Sequence, residues 1–258
     1  SLDELISFDE FGKKMKFSTL PQIEDNDKDY FEADSFINPV QFKGVLANHN
    51  CNCDDECDKE KGPQYYVRPI PNYIANNVVL GNGTTLKFLT GPNSGGKTSA
   101  AKAIIQARIL SQTGCYVPAE RAKMNITHQL HYQVGQNDSQ ASKEGGLGTQ
   151  FMQTKEILFN GNPRSFVVID DLIDGTTVEE KLNHTRNQLY GFLHKGINLL
   201  YITHHHELAD EFKRKGVGSY SQVEFDGENP THRIIPGIST NSHSIVVAIR
   251  VGFDEEAI

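Results

Sequence analysis

The glycine-rich segment Gly91–Thr98, G-P-N-S-G-G-K-T, constrains this chain more than any other part of its sequence. It fits G-x-x-x-x-G-K-[ST], a loop whose backbone amides cradle nucleotide phosphates. The strand-like stretch Thr85–Thr90 precedes the loop, and Ser99–Ile105, rich in alanine, opens a helix after it. Free amides and the dipole at such a helix N-terminus favour a polyphosphate. A glycine-rich turn before a helix is the alternative, and the flanking segments disfavour it.

The loop predicts the contacts of the nucleotide. Lys97 is expected to neutralise the β- and γ-phosphates and to take part in catalysis, and the Thr98 hydroxyl is expected to hold Mg²⁺. The cofactors predicted from the loop are therefore a nucleoside triphosphate and Mg²⁺. The phosphate-binding residues predicted are Gly91, Pro92, Asn93, Ser94, Gly95, Gly96, Lys97, Thr98 and Ser99.

Two further apolar strands end in polar side chains of the kind that a nucleotide site needs. The stretch Ser165–Asp170 ends in a carboxylate that is expected to hold the Mg²⁺ shell, and Asp171, which follows it, can orient or deprotonate the attacking water. The stretch Ile197–Thr203 is followed by His204, a predicted sensor of the γ-phosphate. The run His204–His206 could also indicate a metal site. However, neighbouring side chains of a strand point to alternate faces, so these histidines are not expected to converge on one metal ion.

The alternation of strands and helices after residue 85 predicts the fold class. It indicates an α/β fold with a largely parallel central sheet flanked by helices. Predicted strands are 85–90, 126–134, 165–170, 198–203, 219–226 and 232–235, after an extended stretch over 65–80. Predicted helices are 97–113, 148–159, 177–194, 205–215 and 242–250, together with a short N-terminal helix over Leu2–Phe17. The glycine-rich stretch Gly135–Gly148 is a candidate functional loop.

The N-terminal quarter differs in charge from the rest of the chain. Residues 1–62 hold 15 acidic and 7 basic side chains, whereas the remainder holds 18 of each. Residues 22–40 are predicted to be irregular. No lysine or arginine cluster marks an independent nucleic-acid binder. No apolar run approaches 18 residues, so we expect a cytoplasmic protein without membrane contact.

The cysteines suggest a second kind of site, a zinc site. Cys115 is expected to be a buried small hydrophobe. One histidine and three cysteines crowd together at His49, Cys51, Cys53 and Cys57, and these residues could bind zinc. Their spacing matches no common zinc finger, and a solvated acidic loop is the alternative. A further alternative makes residues 22–64 the functional part of the chain, as a metal-dependent loop that docks a partner.

Several motifs together resemble the ATPase domain of the MutS DNA mismatch-repair family. They are T-G-P-N-S-G-G-K-T, Y-V-P-A, V-I-D-D-L-I-D-G-T-T and I-T-H-H-H-E-L. The resemblance covers about 240 residues and implies a P-loop NTPase of the ABC type. It implies that residues 1–21 end a lever-type helix, that residues 22–64 form an acidic irregular segment, and that residues 65–258 form the ATPase domain.

The resemblance also implies roles for residues outside the phosphate loop. Tyr73-Ile74-Ala75-Asn76 is similar to the segment whose aromatic residue stacks on adenine, and His232 falls near a second position beside the base. The signature serine of the family, which acts across a dimer, should fall within Gly145–Phe151. No serine is present there, and Thr149 is the best substitute. Thr176 matches a loop at the dimer interface.

The implied protein is an ATP-driven switch. ATP would promote a head-to-tail homodimer of ATPase domains, and double-stranded DNA would be held mainly by domains that are not in this sequence. The usual catalytic glutamate is replaced by Asp171, whose arm is shorter by about 1.5 Å. A nucleotide-gated binding module with little hydrolysis is therefore an alternative. Another ABC-type ATPase, from a transporter or a chromosome-maintenance protein, is a third reading, although no L-S-G-G-Q motif is present.

Overall fold

The structure, a computed structural model, describes eight stretches of the chain: residues 18–38, 42–46, 65–69, 74–92, 95–134, 145–170, 177–227 and 229–239. The predicted helices over Leu2–Phe17 and 242–250 lie outside these residues. The described strands are β1 Gln22–Glu24, β2 Phe31–Phe36, β3 Phe42–Leu46, β4 Tyr65–Pro69, β5 Asn76–Leu80, β6 Leu86–Thr90, β7 Arg121–Asn125, β8 Gln129–Val134, β9 Ser165–Asp170, β10 Asn198–Thr203, β11 Ser219–Asp226 and β12 Asn229–Pro236. The described helices are α1 Lys97–Gln112, α2 Gly145–Asn160, α3 Val178–His194 and α4 His206–Arg214.

A six-stranded sheet carries most of the elements that follow residue 85. Its order is β12-β11-β6-β10-β9-β8. The five strands from β11 to β8 pair in parallel, and β12 pairs with β11 in the antiparallel direction. Every residue of β9 and β10 is buried, as expected for parallel strands that are covered on both faces. The α/β class is confirmed, and the sheets of the chain as a whole are mixed.

A second sheet of four strands has the order β1-β7-β2-β5. The prediction that residues 22–40 are irregular is wrong for β1 and β2. Strand β2 pairs with both β5 and β7, and its residues Phe31, Ala33 and Phe36 are buried. The acidic side chains between them hid the alternation, because they point to the other face of the strand. The strand predicted over 126–134 is confirmed over β8, which begins later than predicted, at Gln129, whereas β7 was not predicted.

The core lies in two layers, one on each face of the six-stranded sheet. Alternate residues of β9 point to opposite faces, so Phe166 and Val168 pack in the layer with Ile104 of α1. Val167 and Ile169 pack in the other layer, which contains buried residues of α2, α3 and α4: Ile157, Leu189, Phe192, Leu208, Ala209 and Phe212. Helix α3 begins at Thr177, whose hydroxyl accepts a hydrogen bond from the Glu180 amide at 3.3 Å. Cys115 is buried and free, as predicted.

A buried ion pair joins α1 to the N-terminal part of the chain. The Arg108 guanidinium donates to the Asp29 carboxylate at 2.6 Å, and both side chains are completely buried. The second carboxylate oxygen of Asp29 accepts from Asn198 at 2.7 Å, and Thr127 donates to Asp29 at 2.9 Å. The guanidinium also lies 4.0 Å from the ring centre of Phe166. This network connects both sheets with the helix that follows the phosphate loop.

Helices α3 and α4 are connected by a cluster of charges at the surface. The Glu211 carboxylate accepts hydrogen bonds from Arg186 at 2.8 to 3.0 Å and from Lys215 at 2.8 Å. The hydrogen bonds from Arg186, and then those from Lys215, lower the pKa of Glu211 from 4.5 to about 2. Its contribution to stability is therefore complete above pH 4.5 and is lost as the pH falls through about 2.

We expect Glu211→Gln to lower the free energy of unfolding at pH 7 by about 0.5–1 kcal/mol, because the cluster is partly exposed and solvent screens its charges. The difference from the wild type should shrink between pH 4.5 and pH 2, where the wild-type carboxylate takes up its proton. Thermal unfolding of both proteins over this pH range measures it. A difference that persists unchanged at pH 2 would contradict the assignment.

Candidate functional site

The residues of Gly91–Thr98 that the structure describes lie at the end of β6 (Gly91 and Pro92) and at the start of α1 (Gly95–Thr98). Gly91 has φ 137° and Gly96 has φ 85°, backbone conformations that side chains with a Cβ rarely adopt. The amide of Gly95 donates to the Pro92 carbonyl at 3.0 Å. No side chain caps the N-terminus of α1, and its first turn has no acidic residue. The first amides of α1 are thus open to an anion.

Lys97 lies inside this loop rather than on its surface. It is 3% exposed, and its ammonium group donates to the carbonyls of Gly91 at 2.6 Å and Pro92 at 2.8 Å. A buried ammonium group needs such acceptors because it has lost its water. The loop therefore holds one positive charge at its centre, as phosphate binding requires.

The Thr98 hydroxyl and the Asp170 carboxylate meet across the sheet. Oγ1 of Thr98 donates to Oδ2 of Asp170 at 2.7 Å, although the two residues are 72 positions apart. Thr98 is exposed and Asp170 is 8% exposed. One hydroxyl and one carboxylate oxygen are hard ligands of the type that Mg²⁺ prefers. The residues present at this point fit a magnesium ion.

Tyr132 adds a second hydroxyl to Asp170. Its phenol oxygen lies 3.3 Å from Oδ2 of Asp170 and donates to it. No sequence motif singles out this residue, because a tyrosine in a half-buried strand has no local feature that separates a site residue from a packing residue. Strand pairing supplies that information, since β8 runs parallel to β9 at the edge of the sheet.

The strand order places three polar strand ends at the same edge of the sheet. Strand β10 lies between β6 and β9, with Thr203 paired to Thr90 and Ile202 paired to Asp170. His204 follows directly after β10 and is exposed. Its ring lies 4.1 Å from the ring of His205, so the expectation that these side chains diverge is wrong. The strand ends at Thr203, and the alternation of faces ends with it.

His232 lies against the phosphate loop. Nδ1 of its ring is 3.4 Å from the Gly95 carbonyl oxygen, and the backbone of His232 has φ 61°. The side-chain amide of Asn76 supports this conformation: it donates to the His232 carbonyl at 3.1 Å and accepts from the Ile234 amide at 2.7 Å. Asn76 thereby connects the second sheet to β12, a role that the sequence analysis did not assign to it.

A cleft of about 520 Å³ opens beside His232. Residues of β5 and β12 and their flanks line it: Ile74, Ala75, Asn76, Asn77, Arg233, Ile234 and Ile235. Three of these side chains are isoleucines and two are amides, a combination of apolar walls and polar groups that suits a planar heterocycle. The cleft begins one residue after Tyr73, which was predicted to stack on adenine.

The segment Gly145–Phe151 is helical and forms the first two turns of α2. The helix predicted over 148–159 is confirmed, but it starts three residues earlier, so the end of the candidate loop Gly135–Gly148 is helical from Gly145 onward. Thr149, the proposed signature residue, is half-buried, and the ring of Phe151 lies 5.1 Å from the ring of His184 on α3. Packing against α3 and the sheet stabilises a helix that its glycines disfavour.

Several predicted site residues lie outside the part of the chain that the structure describes. They are Asp171, Tyr73, Asn93, Ser94, Thr176 and the four predicted zinc ligands, His49, Cys51, Cys53 and Cys57. Their roles stay predictions. The described helices include none that is long and apolar enough to cross a membrane.

Comparison with known proteins gives a consistent result. The family model of MutS domain V matches residues 87–258. The DNA mismatch repair protein MutS of Chlorobium phaeobacteroides is 29% identical over 192 residues, which are 72% of this chain and 22% of that protein. The protein of the same name from Caldicellulosiruptor saccharolyticus is 30% identical over 195 residues, 72% of this chain and 23% of that protein. The DNA mismatch repair protein MutS of Halalkalibacterium halodurans is 28% identical over 209 residues, which are 77% of this chain and 24% of that protein. The chain therefore spans about a quarter of the length of these curated relatives.

Proposed function

Because the chain belongs to the MutS family, as the ATPase domain that this family calls domain V, we propose that it binds ATP with Mg²⁺ and hydrolyses it. The contact between the Thr98 hydroxyl and the Asp170 carboxylate carries this proposal. It connects the phosphate loop with the strand end that a P-loop enzyme uses for its metal.

We infer that the six-stranded sheet is that of a P-loop NTPase of the ABC type. In support, β10 separates the strand of the phosphate loop from the strand that ends at Asp170. This order leaves His204 between the loop and the acidic strand end. A residue at that position faces both the phosphates and the attacking water, as a γ-phosphate sensor must.

The roles of the chain's own residues follow from their positions. The amides of the loop and of the first turn of α1 bind the phosphates, and Lys97 exchanges the carbonyls of Gly91 and Pro92 for phosphate oxygens. Thr98 and Asp170 hold the metal, which supplies positive charge to the phosphate oxygens. Asp171 orients the attacking water, and His204 contacts the γ-phosphate.

We assign the adenine base of the nucleotide to the cleft beside His232. Tyr73 stacks on the adenine ring, and His232 lies near the other side of that ring. Strand β12 carries His232, and Asn76 holds it in position from the second sheet. Base and phosphate contacts are thereby coupled, because His232 also touches the Gly95 carbonyl of the loop.

We propose that ATP controls the assembly of two copies of this domain. In a head-to-tail dimer, the beginning of α2, with Thr149, would complete the site of the second copy. The relatives are named as DNA mismatch repair proteins, and in this chain ATP would switch the grip of attached domains on double-stranded DNA. The family match favours this reading over an ABC-type ATPase of another family.

Equilibrium binding of ATP to the wild-type chain tests the proposal directly. We expect saturable binding that is stronger with Mg²⁺ than with EDTA, together with slow release of inorganic phosphate. No detectable binding of ATP in either condition would end the proposal. An increase of molecular mass on addition of Mg·ATP, measured by light scattering, tests the dimer separately.

A second function, a nucleotide-gated binding module with little hydrolysis, is favoured by one specific residue. Asp171 stands where a glutamate is usual in the family, and its carboxylate is held back by about 1.5 Å. A displacement of this size can lower the rate of a positioned reaction about 100-fold. Such a chain would still bind ATP and respond to it.

We expect Asp171→Glu to raise the single-turnover rate of ATP hydrolysis about 10-fold or more, with little change in ATP affinity, because the longer arm reaches the water. Asp171→Asn is the control, and it should lower the rate. A wild type that binds ATP without turnover, and gains turnover with glutamate, would establish the binding module. If Asp171→Glu does not raise the rate, aspartate is itself well placed.

A further inference from the structure

Two hydroxyl groups converge on one oxygen of the Asp170 carboxylate. Thr98 donates to Oδ2 at 2.7 Å from the phosphate loop, and Tyr132 donates to the same oxygen at 3.3 Å from strand β8. The two donors come from opposite sides of β9 in the sheet order, since β10 and β6 lie on one side and β8 on the other. The carboxylate is thus held from two directions.

The register of β8 and β9 explains how Tyr132 reaches this point. Tyr132 is paired with Val168, two residues before Asp170, so its side chain leaves the sheet on the same face as that of Asp170. Side chains in strands lean along the strand direction, and a phenol is long enough to cover two residues. Leu130 and Tyr132 both pack against the core layer of α1, which fixes the ring.

We propose that Tyr132 is a positioning residue of the magnesium site, whose hydroxyl holds the Asp170 carboxylate in the orientation that binds the metal. This inference rests on the proposed function, since it concerns the same site. A metal ligand that is hydrogen-bonded by a neighbour loses less freedom on binding, and such supporting contacts commonly govern metal affinity. Thr98 alone does not fix the carboxylate, because its own oxygen is itself a metal ligand.

The chemistry of the phenol agrees with a donor role. A phenol carries its proton at neutral pH, whereas an ionised carboxylate can only accept, so the hydrogen bond runs from Tyr132 to Asp170. A tyrosinate at this position would instead repel Asp170.

Tyr132→Phe removes this hydroxyl and keeps the ring. The experiment is a titration of Mg²⁺ at fixed ATP with the whole chain, in which ATP binding is followed, together with ATP affinity in EDTA. We expect Tyr132→Phe to raise the half-saturating Mg²⁺ concentration about 3- to 10-fold, while ATP affinity in EDTA stays that of the wild type. Tyr132→Met, which also lacks the hydroxyl, should give a shift in the same direction.

Tyr220→Phe is the matched control. Tyr220 also lies in the six-stranded sheet, and its phenol donates to the Val217 carbonyl at the end of β11 remote from the phosphate loop. We expect the variant Tyr220→Phe to have the same half-saturating Mg²⁺ concentration as the wild type. An unchanged titration in Tyr132→Phe, or an equal loss of ATP affinity with and without Mg²⁺, would overturn the positioning role alone. A wild type that binds no ATP would overturn the proposed function as well.

Discussion

Lys97→Ala is expected to lower the affinity of the chain for Mg·ATP about 100-fold and to reduce single-turnover hydrolysis by a further factor of about 100 to 1,000. The ammonium group is the single positive charge inside the loop, 2.6 and 2.8 Å from the carbonyls of Gly91 and Pro92. Alanine removes this charge and leaves those carbonyls without their donor. Both effects act on the same loop, which we propose binds the phosphates.

Equilibrium binding of ATP and rapid-quench hydrolysis measure this change. Lys102→Ala is the matched control, because Lys102 lies on the exposed side of the same helix and should leave both quantities unchanged. Thermal unfolding without nucleotide reports whether the variant is folded. If Lys97→Ala binds and hydrolyses ATP like the wild type, the loop is not the nucleotide site.

Asp29→Ala is expected to lower the free energy of unfolding by about 3–5 kcal/mol, because it leaves the completely buried charge of Arg108 without its partner. Arg108→Ala should cost a similar amount, since Asp29 then keeps only the neutral donors Thr127 and Asn198. Urea unfolding curves measure both changes. The two substitutions combined should cost clearly less than their sum, because each one removes the same interaction.

The pair Arg121–Asp34 provides the control for this prediction. It joins the same residue types at 2.5 Å, but the Arg121 side chain is 84% exposed. Arg121→Ala should therefore cost less than about 1 kcal/mol. Equal costs for the two arginines would show that burial does not determine the energetics of these pairs.

The elements around the site could be predicted well where local patterns were strong. The boundaries of β6, α1, β9, α3, β10 and α4 differ from the prediction by one residue or less at each end. In each case an apolar run or a helical period coincides with a clear terminal signal, such as Gly96 before α1 or Thr177 before α3. Local signals of this kind act within a few residues, and no distant partner is needed to read them.

The errors arise where partners distant in sequence determine the structure. Strand β2 carries acidic residues at alternate positions, and it becomes a strand because β5 and β7 pair with its two edges. The start of α2 contains glycines that disfavour a helix, and contacts with α3 and the sheet overcome this preference. In both cases the burial of apolar side chains outweighs the intrinsic secondary-structure propensity of the segment.

The residue types of the proposed nucleotide site could be identified from the sequence itself. The phosphate loop, its lysine, the threonine after it and the carboxylate at the end of an apolar strand are each short segments with a characteristic composition. What only the tertiary structure decided is how they are combined. The placing of β10 between β6 and β9, the meeting of Thr98, Tyr132 and Asp170, and the contact of His232 with Gly95 all join residues that are distant in sequence, from 32 positions for Ile202 and Asp170 (202 − 170) to 137 positions for Gly95 and His232. Contacts at such separations depend on strand order and register, which follow from the packing of the whole core rather than from any one segment.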